Sequence, residues 1–317
     1  MKMKIMTHFC NCAVLALLSL AACTEIPGDK SKPEWKESAS GVWEISVGKP
    51  EKLNLLSELG LHPKWDAINA MPKADLPVDR DEIRFEEVDG KTYIRFPLDK
   101  GEKIFGLGLN FKTVEQRGRI LELHVDHYGG KDNGRTHAPV PFFVSSKGYG
   151  AFINSARYIK AYVGTGVRKD TKNPPEVQDR NTDPGWSAQP YSDNLEFLVP
   201  AEGVEVVLFA GQDMQDVVRR FNLFNGGGVL PPKWGLGFWH RVPTLFTDRQ
   251  VQDEIAEFRK RGFPLTVIGL EPGWMSRAYP CTYEWDATRF PEPGKFVNDL
   301  LQKHIRTNLW FLSLIHI

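Results

Sequence analysis

Residues 268–291 read IGLEPGWMSRAYPCTYEWDATRFP, and the first few of them decide how the second half of the chain folds. The apolar run that starts at Leu265 stops at Glu271, after which Trp274, Arg277, Tyr279, Tyr283 and Trp285 crowd one stretch. A short β-prone run, PLTVIGL, bounded by Gly262 and Pro272, reads as a buried strand. Upstream, Thr247 followed by Gln250 has capping-box spacing, and Val251, Ile255 and Phe258 give one buried face of a helix closing at Gly262. Before that helix, GLGFW (235–239) reads as a strand that follows Pro231-Pro232. Downstream, Phe296, Val297, Leu300, Leu301 and Ile305 mark a second amphipathic helix, followed by the strand TNLWF (307–311). Strand, helix, strand, helix, strand is the opening of a parallel α/β unit.

In a (β/α) barrel the residues just beyond each strand's C-terminal end line the active-site mouth. Trp239 and His240 are expected just beyond the first strand, and Glu271 and Trp274 just beyond the second, so that the four converge. Flat aromatic faces suit the C–H faces of sugar rings, and a carboxylate accepts paired hydrogen bonds from vicinal hydroxyls. The plainer alternative is that the Trp residues pack in the core or rim and Glu271 caps a surface helix.

Towards the N-terminus the texture changes. Met214, Val217, Val218, Phe221 and Phe224 follow helical spacing, and that helix should stop at Gly226-Gly227-Gly228. From Gly41 to Gly211, short β-prone runs are separated by Gly, Pro, Asn and Asp, with Asp89-Gly90 placed as a hairpin turn. This domain reads as an antiparallel β-sandwich. The expected boundaries are a signal segment at 1–22, a tether at 23–40, the sandwich with its closing helix at 41–228, an incomplete barrel at 229–311 and a tail at 312–317. GLGLNF lacks the third Gly of a dinucleotide fingerprint, and Gly226 to Gly228 sit at a helix C-terminus without the Lys-Ser/Thr of a phosphate loop.

Lys+Arg and Asp+Glu balance at 40 each over 317 residues, so no overall field favours nucleic acid or an acidic membrane surface. Lys2 and Lys4 precede the apolar run from Cys12 to Cys23, which is shorter than the roughly 20 residues a membrane span needs and has the layout of a secretory signal. Leu20-Ala21-Ala22-Cys23 resembles a bacterial lipobox, which makes Cys23 the lipidated first residue and the chain a lipoprotein of the bacterial cell envelope, anchored in the periplasm or on the outer-membrane surface. An ordinary cleaved signal with an incidental Cys is the alternative. Once the signal leaves, Cys281 is the one thiol of the globular part, and no internal disulfide framework follows.

FGLGLN (105–110), PVPFFVSSKGYGAFINSARY (139–158), DVVRRFNLFNGGGVLPPKWGLGFWH (216–240), FPLTVIGLEPGW (263–274) and YEWDATRFPEPGKFVNDL (283–300) together resemble glycoside hydrolase family 31. The similarity runs in the family's order from about Ile104 to Phe311. It implies a galactose-mutarotase-like β-sandwich packed on a (β/α)8 barrel, retaining hydrolysis of α-linked carbohydrate, and no cofactor. Glu271 falls where family members that cleave glucosides carry an Asp that grips sugar hydroxyls, and Trp274 falls near a pocket aromatic. The extra methylene of Glu puts glucose specificity in doubt and brings galactose or xylose into play. HVDHYGG resembles a sandwich loop that supplies an Asp over the barrel mouth, which singles out Asp126. His124 shares its strand face, so a metal reading stands beside ordinary polar contacts.

Retaining chemistry requires two carboxyl groups about 5–5.5 Å apart. In the family both are Asp residues on later barrel strands, so the nucleophile and the acid/base are expected beyond Ile317, and Glu284 and Asp286 are read as loop scaffold or pocket wall. LSLIHI (312–317) departs from the family's continuation and is read as non-native. Three strands cannot close an eight-stranded barrel, leaving edges and apolar interior exposed. The rival reading is a surface lipoprotein that binds glycans without cleaving them.

Overall fold

The computed structural model describes residues 33–311 apart from 61, 127–133, 137, 166–178, 185, 187–190 and 279–280. Cys23 and the whole signal segment, Tyr279 and the tail at 312–317 lie outside the described residues. The chain divides into two compact units, Met1–Gly227 and Gly228–Ile317.

The first unit is a sandwich of two antiparallel sheets. Its strands are β1 (Lys36–Ala39), β2 (Val42–Gly48), β3 (Arg84–Val88), β4 (Lys91–Pro97), β5 (Ile104–Gly106), β6 (Arg119–Leu123), β7 (Phe142–Ser145), β8 (Tyr149–Asn154), β9 (Ile159–Thr165), β10 (Tyr191–Val199) and β11 (Gly203–Ala210). They are ordered β1-β2-β11-β8-β7-β5 in one sheet and β3-β4-β10-β9-β6 in the other. Two one-turn helices, α1 (Leu55–Leu59) and α2 (Trp65–Asn69), precede β3, and α3 (Met214–Phe224) follows β11.

The six-stranded sheet is covered on both faces, which explains why β8 and β11 read as nearly continuous apolar runs, Glu205 and Asn154 apart, rather than alternating ones. In β11, Val206 and Leu208 point between the sheets with Phe96, Phe143, Ile153 and Phe197. Val207 and Phe209 point the other way, under Ile68 of α2 and Val217 and Phe224 of α3. Phe142 stacks on Phe221 with ring centroids 3.7 Å apart, seating α3 on the sheet. Arg220 of α3 is fully buried and donates to the carbonyls of Ser40 and Pro72. It passes over Gly41, where a Cβ would lie 2.9 Å from its Nε and where φ is +74°.

The expected tether through Ser40 is too long, because Lys36–Ala39 already pairs with β2, with Glu37 opposite Trp43. An edge strand needs only backbone groups to pair, and its polar side chains give no apolar period to read.

The second unit holds β12 (Phe238–Arg241), α4 (Asp248–Lys260), β13 (Leu265–Leu270), α5 (Pro293–Gln302) and β14 (Arg306–Leu309). The three strands form a parallel sheet in the order β12-β13-β14. Thr247 and Gln250 form the capping box of α4. Val251 and Ile255 of α4 and Phe296 and Leu300 of α5 pack with Ile268 and Leu270 of β13, so both helices share one buried cluster with the central strand. The unit is the start of a (β/α) barrel, and among the described residues no closed barrel forms.

Candidate functional site

The strand expected at 235–239 begins later, because residues 233–236 form a tight 3-10 turn and pairing starts at Phe238. At Gly237, just before the pairing begins, a Cβ would lie 2.2 Å from the Thr266 hydroxyl, so the Thr266 side chain fills the space that a side chain at 237 would need. Trp239 and His240 are therefore consecutive strand residues, not residues beyond a strand, and they point to opposite faces. His240 turns towards α4, with Nε2 3.1 Å from the Glu254 carboxylate and its ring 4.5 Å from that of Phe258. The structure does not bring His240 to Glu271.

Trp239 stays on the face away from the helices. It shares a cross-strand row with Val267 and Arg306, is 49% exposed, and donates its indole N–H to the Gly235 carbonyl at 3.1 Å. The next row on that face is Arg241, Gly269 and Asn308. Glu271 follows two residues after Gly269, on the same side by strand alternation. Its carboxylate makes an ion pair with the Arg241 guanidinium. Gly269 gives that pair its room, since a Cβ there would already lie 3.0 Å from Cγ of Arg241. Trp239, Arg241 and Glu271 thus line one face at adjoining strand ends.

Glu271 occupies the N-cap position of the 3-10 turn Pro272–Trp274, yet its side chain makes no capping bond. The plain reading of a helix cap therefore fails for it. The carboxylate side chain is 21% exposed and the guanidinium 62%, so one group is held while the other reaches solvent. A carboxylate aimed by a guanidinium, with further N–H donors beside it, can both accept from and donate to vicinal hydroxyls.

Trp274 does not present its ring to that face. It is 5% exposed, meets Trp285 edge-on at 5.0 Å, and donates its indole N–H to the Trp310 carbonyl at 2.8 Å. A buried indole whose N–H is satisfied anchors the turn. Arg289 holds the same turn from the other side, donating to the carbonyls of Gly273 at 2.8 Å and Met275 at 3.1 Å. Asp286 pairs with Arg289 at 2.9 Å. Its carboxyl is held below the usual carboxylate range, first by the Thr288 hydroxyl and then by the Arg289 backbone N–H. Trp274, Trp285, Asp286 and Arg289 thus frame the turn that carries Glu271. The Cys281 thiol, half-buried, donates to the Ala278 carbonyl.

Arg241 and Gly269 escaped the sequence reading. The signal was present: one more alternation beyond Trp239 reaches Arg241, and a Gly inside a strand marks a close approach.

Asp126 belongs to the first unit. Its backbone N–H donates to Thr136 at 3.0 Å, and its carboxylate lies 3.5 Å from Arg135, whose guanidinium also bonds Glu122 at 2.8 Å. Glu122 and then Asp126 raise the Arg135 pKa. His124 instead stacks on Tyr158 with centroids 4.0 Å apart. Among the described residues no three His, Cys, Asp or Glu side chains cluster as a metal site requires.

The two units match two domain models of one family. Residues 29–160 match the glycosyl hydrolase 31 N-terminal galactose mutarotase-like domain, and residues 228–317 match the glycosyl hydrolases family 31 TIM-barrel domain. An alpha-xylosidase of Emericella nidulans is 25% identical over 228 residues, covering 71% of this chain and 26% of that protein. The alpha-xylosidase XylQ of Lactiplantibacillus pentosus is 24% identical over 225 residues, 69% of this chain and 26% of that protein. Among solved structures, a GH31 dextranase of Flavobacterium johnsoniae complexed with glucose superposes with a TM-score of 0.63 at 20% identity, covering 87% of this chain and 35% of that one, a likeness of fold. The chain spans about a quarter of the length of the curated relatives it matches. With sandwich and barrel start each matching its own domain of a single family, and in that family's order, the chain belongs to glycoside hydrolase family 31.

Proposed function

We propose that the protein hydrolyses α-glycosidic bonds with retention of configuration, and that Glu271 grips the sugar in the cleaved subsite. The observation that carries this reading is the placement of Glu271 at the end of β13, ion-paired to Arg241 and on the face that also carries Trp239. Relatives named alpha-xylosidase and alpha-glucosidase support the reaction class. Trp239, half exposed, offers a flat surface to a sugar ring. We assign the nucleophile and the acid/base to no residue of this chain and place them on later barrel strands. Trp274 and His240 contribute by holding the turn and by packing against α4. Cys23 is the lipidation site, which anchors the protein to the bacterial cell envelope.

The test is release of nitrophenol from aryl α-glucoside, α-galactoside and α-xyloside by the intact protein, with the first anomer formed read by NMR. The expected result is turnover of one of the three, the α-anomer appearing first, and a fall in kcat/KM of about a hundredfold for Glu271→Gln, since a hydrogen bond to a charged group is worth roughly 1.5–3 kcal/mol. No turnover of any of the three would overturn the reading, and unchanged kinetics for Glu271→Gln would remove Glu271 from the subsite.

A further inference from the structure

A groove of about 390 Å³ opens on the first unit, within the size range of sites that hold small ligands. Its floor is fixed by the sheet rather than by loops. Glu122 of β6, Lys160 of β9 and Leu198 of β10 all line it, and they are direct cross-strand neighbours. Their neighbours in sequence, Leu121, Ala161, Phe197 and Val199, point into the core between the sheets, so this row faces outward.

Tyr158 stands at the edge of the groove with 67% of its surface exposed. An exposed Tyr ring normally wanders among rotamers, but this one lies against His124 with centroids 4.0 Å apart and 31° between the planes. That contact orders the ring before any ligand arrives, which lowers the entropic cost of binding. Ordered aromatic faces bordered by hydrogen-bonding side chains suit pyranose rings, whose C–H faces are apolar and whose edges are hydroxylated.

The charges around the ring narrow the ligand further. Lys91, Arg135 and Lys160 line the groove against Glu122. Arg135 is committed to Glu122 at 2.8 Å and to Asp126 at 3.5 Å, whereas the Lys160 ammonium is 3.9 Å from Glu122 and Lys91 is exposed. Counting Asp126 with Glu122, three cations face two carboxylates among the described residues, an excess of one positive charge there in a chain whose net charge is zero. We propose that this groove binds an acidic saccharide, its ring lying on Tyr158 and its carboxylate meeting the ammonium groups of Lys91 and Lys160. The site would hold an anionic glycan on the sandwich whether or not the protein has the glycosidase chemistry proposed above.

The experiment is calorimetric titration of the whole chain with trigalacturonate, with maltotriose as the neutral α-linked comparator. Trigalacturonate is expected to bind at millimolar or lower concentration, several-fold tighter than maltotriose, and to weaken as salt is added. Tyr158→Ala should weaken it about tenfold, the equivalent of one lost stacking contact, while Tyr158→Trp keeps the platform and the affinity. Lys91→Gln should remove most of the preference for the acidic sugar. Because Tyr158 and Lys91 are exposed, far-UV circular dichroism should be unchanged in all three variants. Equal affinity for the two sugars would overturn the acidic assignment. Unaltered binding in Tyr158→Ala, or no binding of trigalacturonate to the wild-type chain, would overturn the site.

Discussion

Replacing Gly273 with Ala puts a single methyl group where the structure has no space for it. The added carbon would lie 1.9 Å from the Thr244 carbonyl oxygen, 2.8 Å from its carbon and 2.9 Å from its side-chain methyl. Bringing the first of these to 3.0 Å, the closest that real contacts of this kind come, requires the two backbones to separate by about 1 Å. Neither side yields readily. Thr244 lies between buried Val242, whose N–H bonds Gly269 at 3.0 Å, and the cap of α4 at Thr247. Gly273 is fixed through its carbonyl by Arg289 and is followed by buried Trp274. The expected cost is at or above the upper end of ordinary overpacking, about 3 kcal/mol. For a unit of this size that lowers the midpoint of unfolding by about 10 °C or more. Hydrogen exchange by mass spectrometry on peptides from α4 and β13 reports this unit alone. Gly294→Ala is the matched control, because a Cβ at Gly294 meets nothing within 4 Å and the residue lies inside α5. Exchange in Gly273→Ala as slow as in Gly294→Ala would refute the argument that backbone contact at Thr244 sets the position of the Glu271 turn.

Two further outcomes test the packing and the electrostatics separately. Phe197 is fully buried and meets Phe143 at 5.9 Å and Phe96 at 6.1 Å, so Phe197→Ala should cost about 3–5 kcal/mol in guanidinium unfolding of the sandwich; a loss under about 1.5 kcal/mol would mean the sheets close over the gap. Asp286 has its pKa lowered in the folded chain, so its contribution is complete above the unfolded carboxylate value of about 3.9 and disappears as pH falls through the folded value. The gap in melting temperature between wild type and Asp286→Asn should therefore be widest near neutral pH and close in acid, whereas a gap that stays constant with pH would show that shape rather than charge is responsible.

The sequence showed the class of each half because each half has its own period. Runs interrupted by turn residues announced the sandwich, and the capping box at Thr247 with Val251, Ile255 and Phe258 announced α4 within a residue or two. What escaped had no period to show. β1 is a polar edge strand, and α1 and α2 are single turns too short to display a stripe. The strand end that carries Glu271 was legible, because an apolar run stops there on a charge. The site was misread at His240 because β12 continues through Arg241, so Trp239 and His240 alternate to opposite faces instead of leaving the strand together. Trp274 was misread for another reason: composition shows that an indole is near the turn, not whether its N–H is already taken by a carbonyl such as that of Trp310.

These misreadings bear on how the site works. If two indoles and an imidazole surrounded Glu271, substitutions at any of them would be felt as lost sugar contacts. With Trp274 and Arg289 instead gripping the backbone of the turn, the carboxylate is positioned through the main chain, and its side-chain partner among the described residues is Arg241 on the neighbouring strand. Two rigid supports and one ion pair hold a group that is only 21% exposed. Changes in the loop at 283–291 should therefore affect Glu271 through the height of the turn, while changes at Arg241 or Gly269 should affect it through the direction of the carboxylate. The extra methylene that Glu carries over Asp matters most for the second of these, because it lengthens the lever that the guanidinium aims.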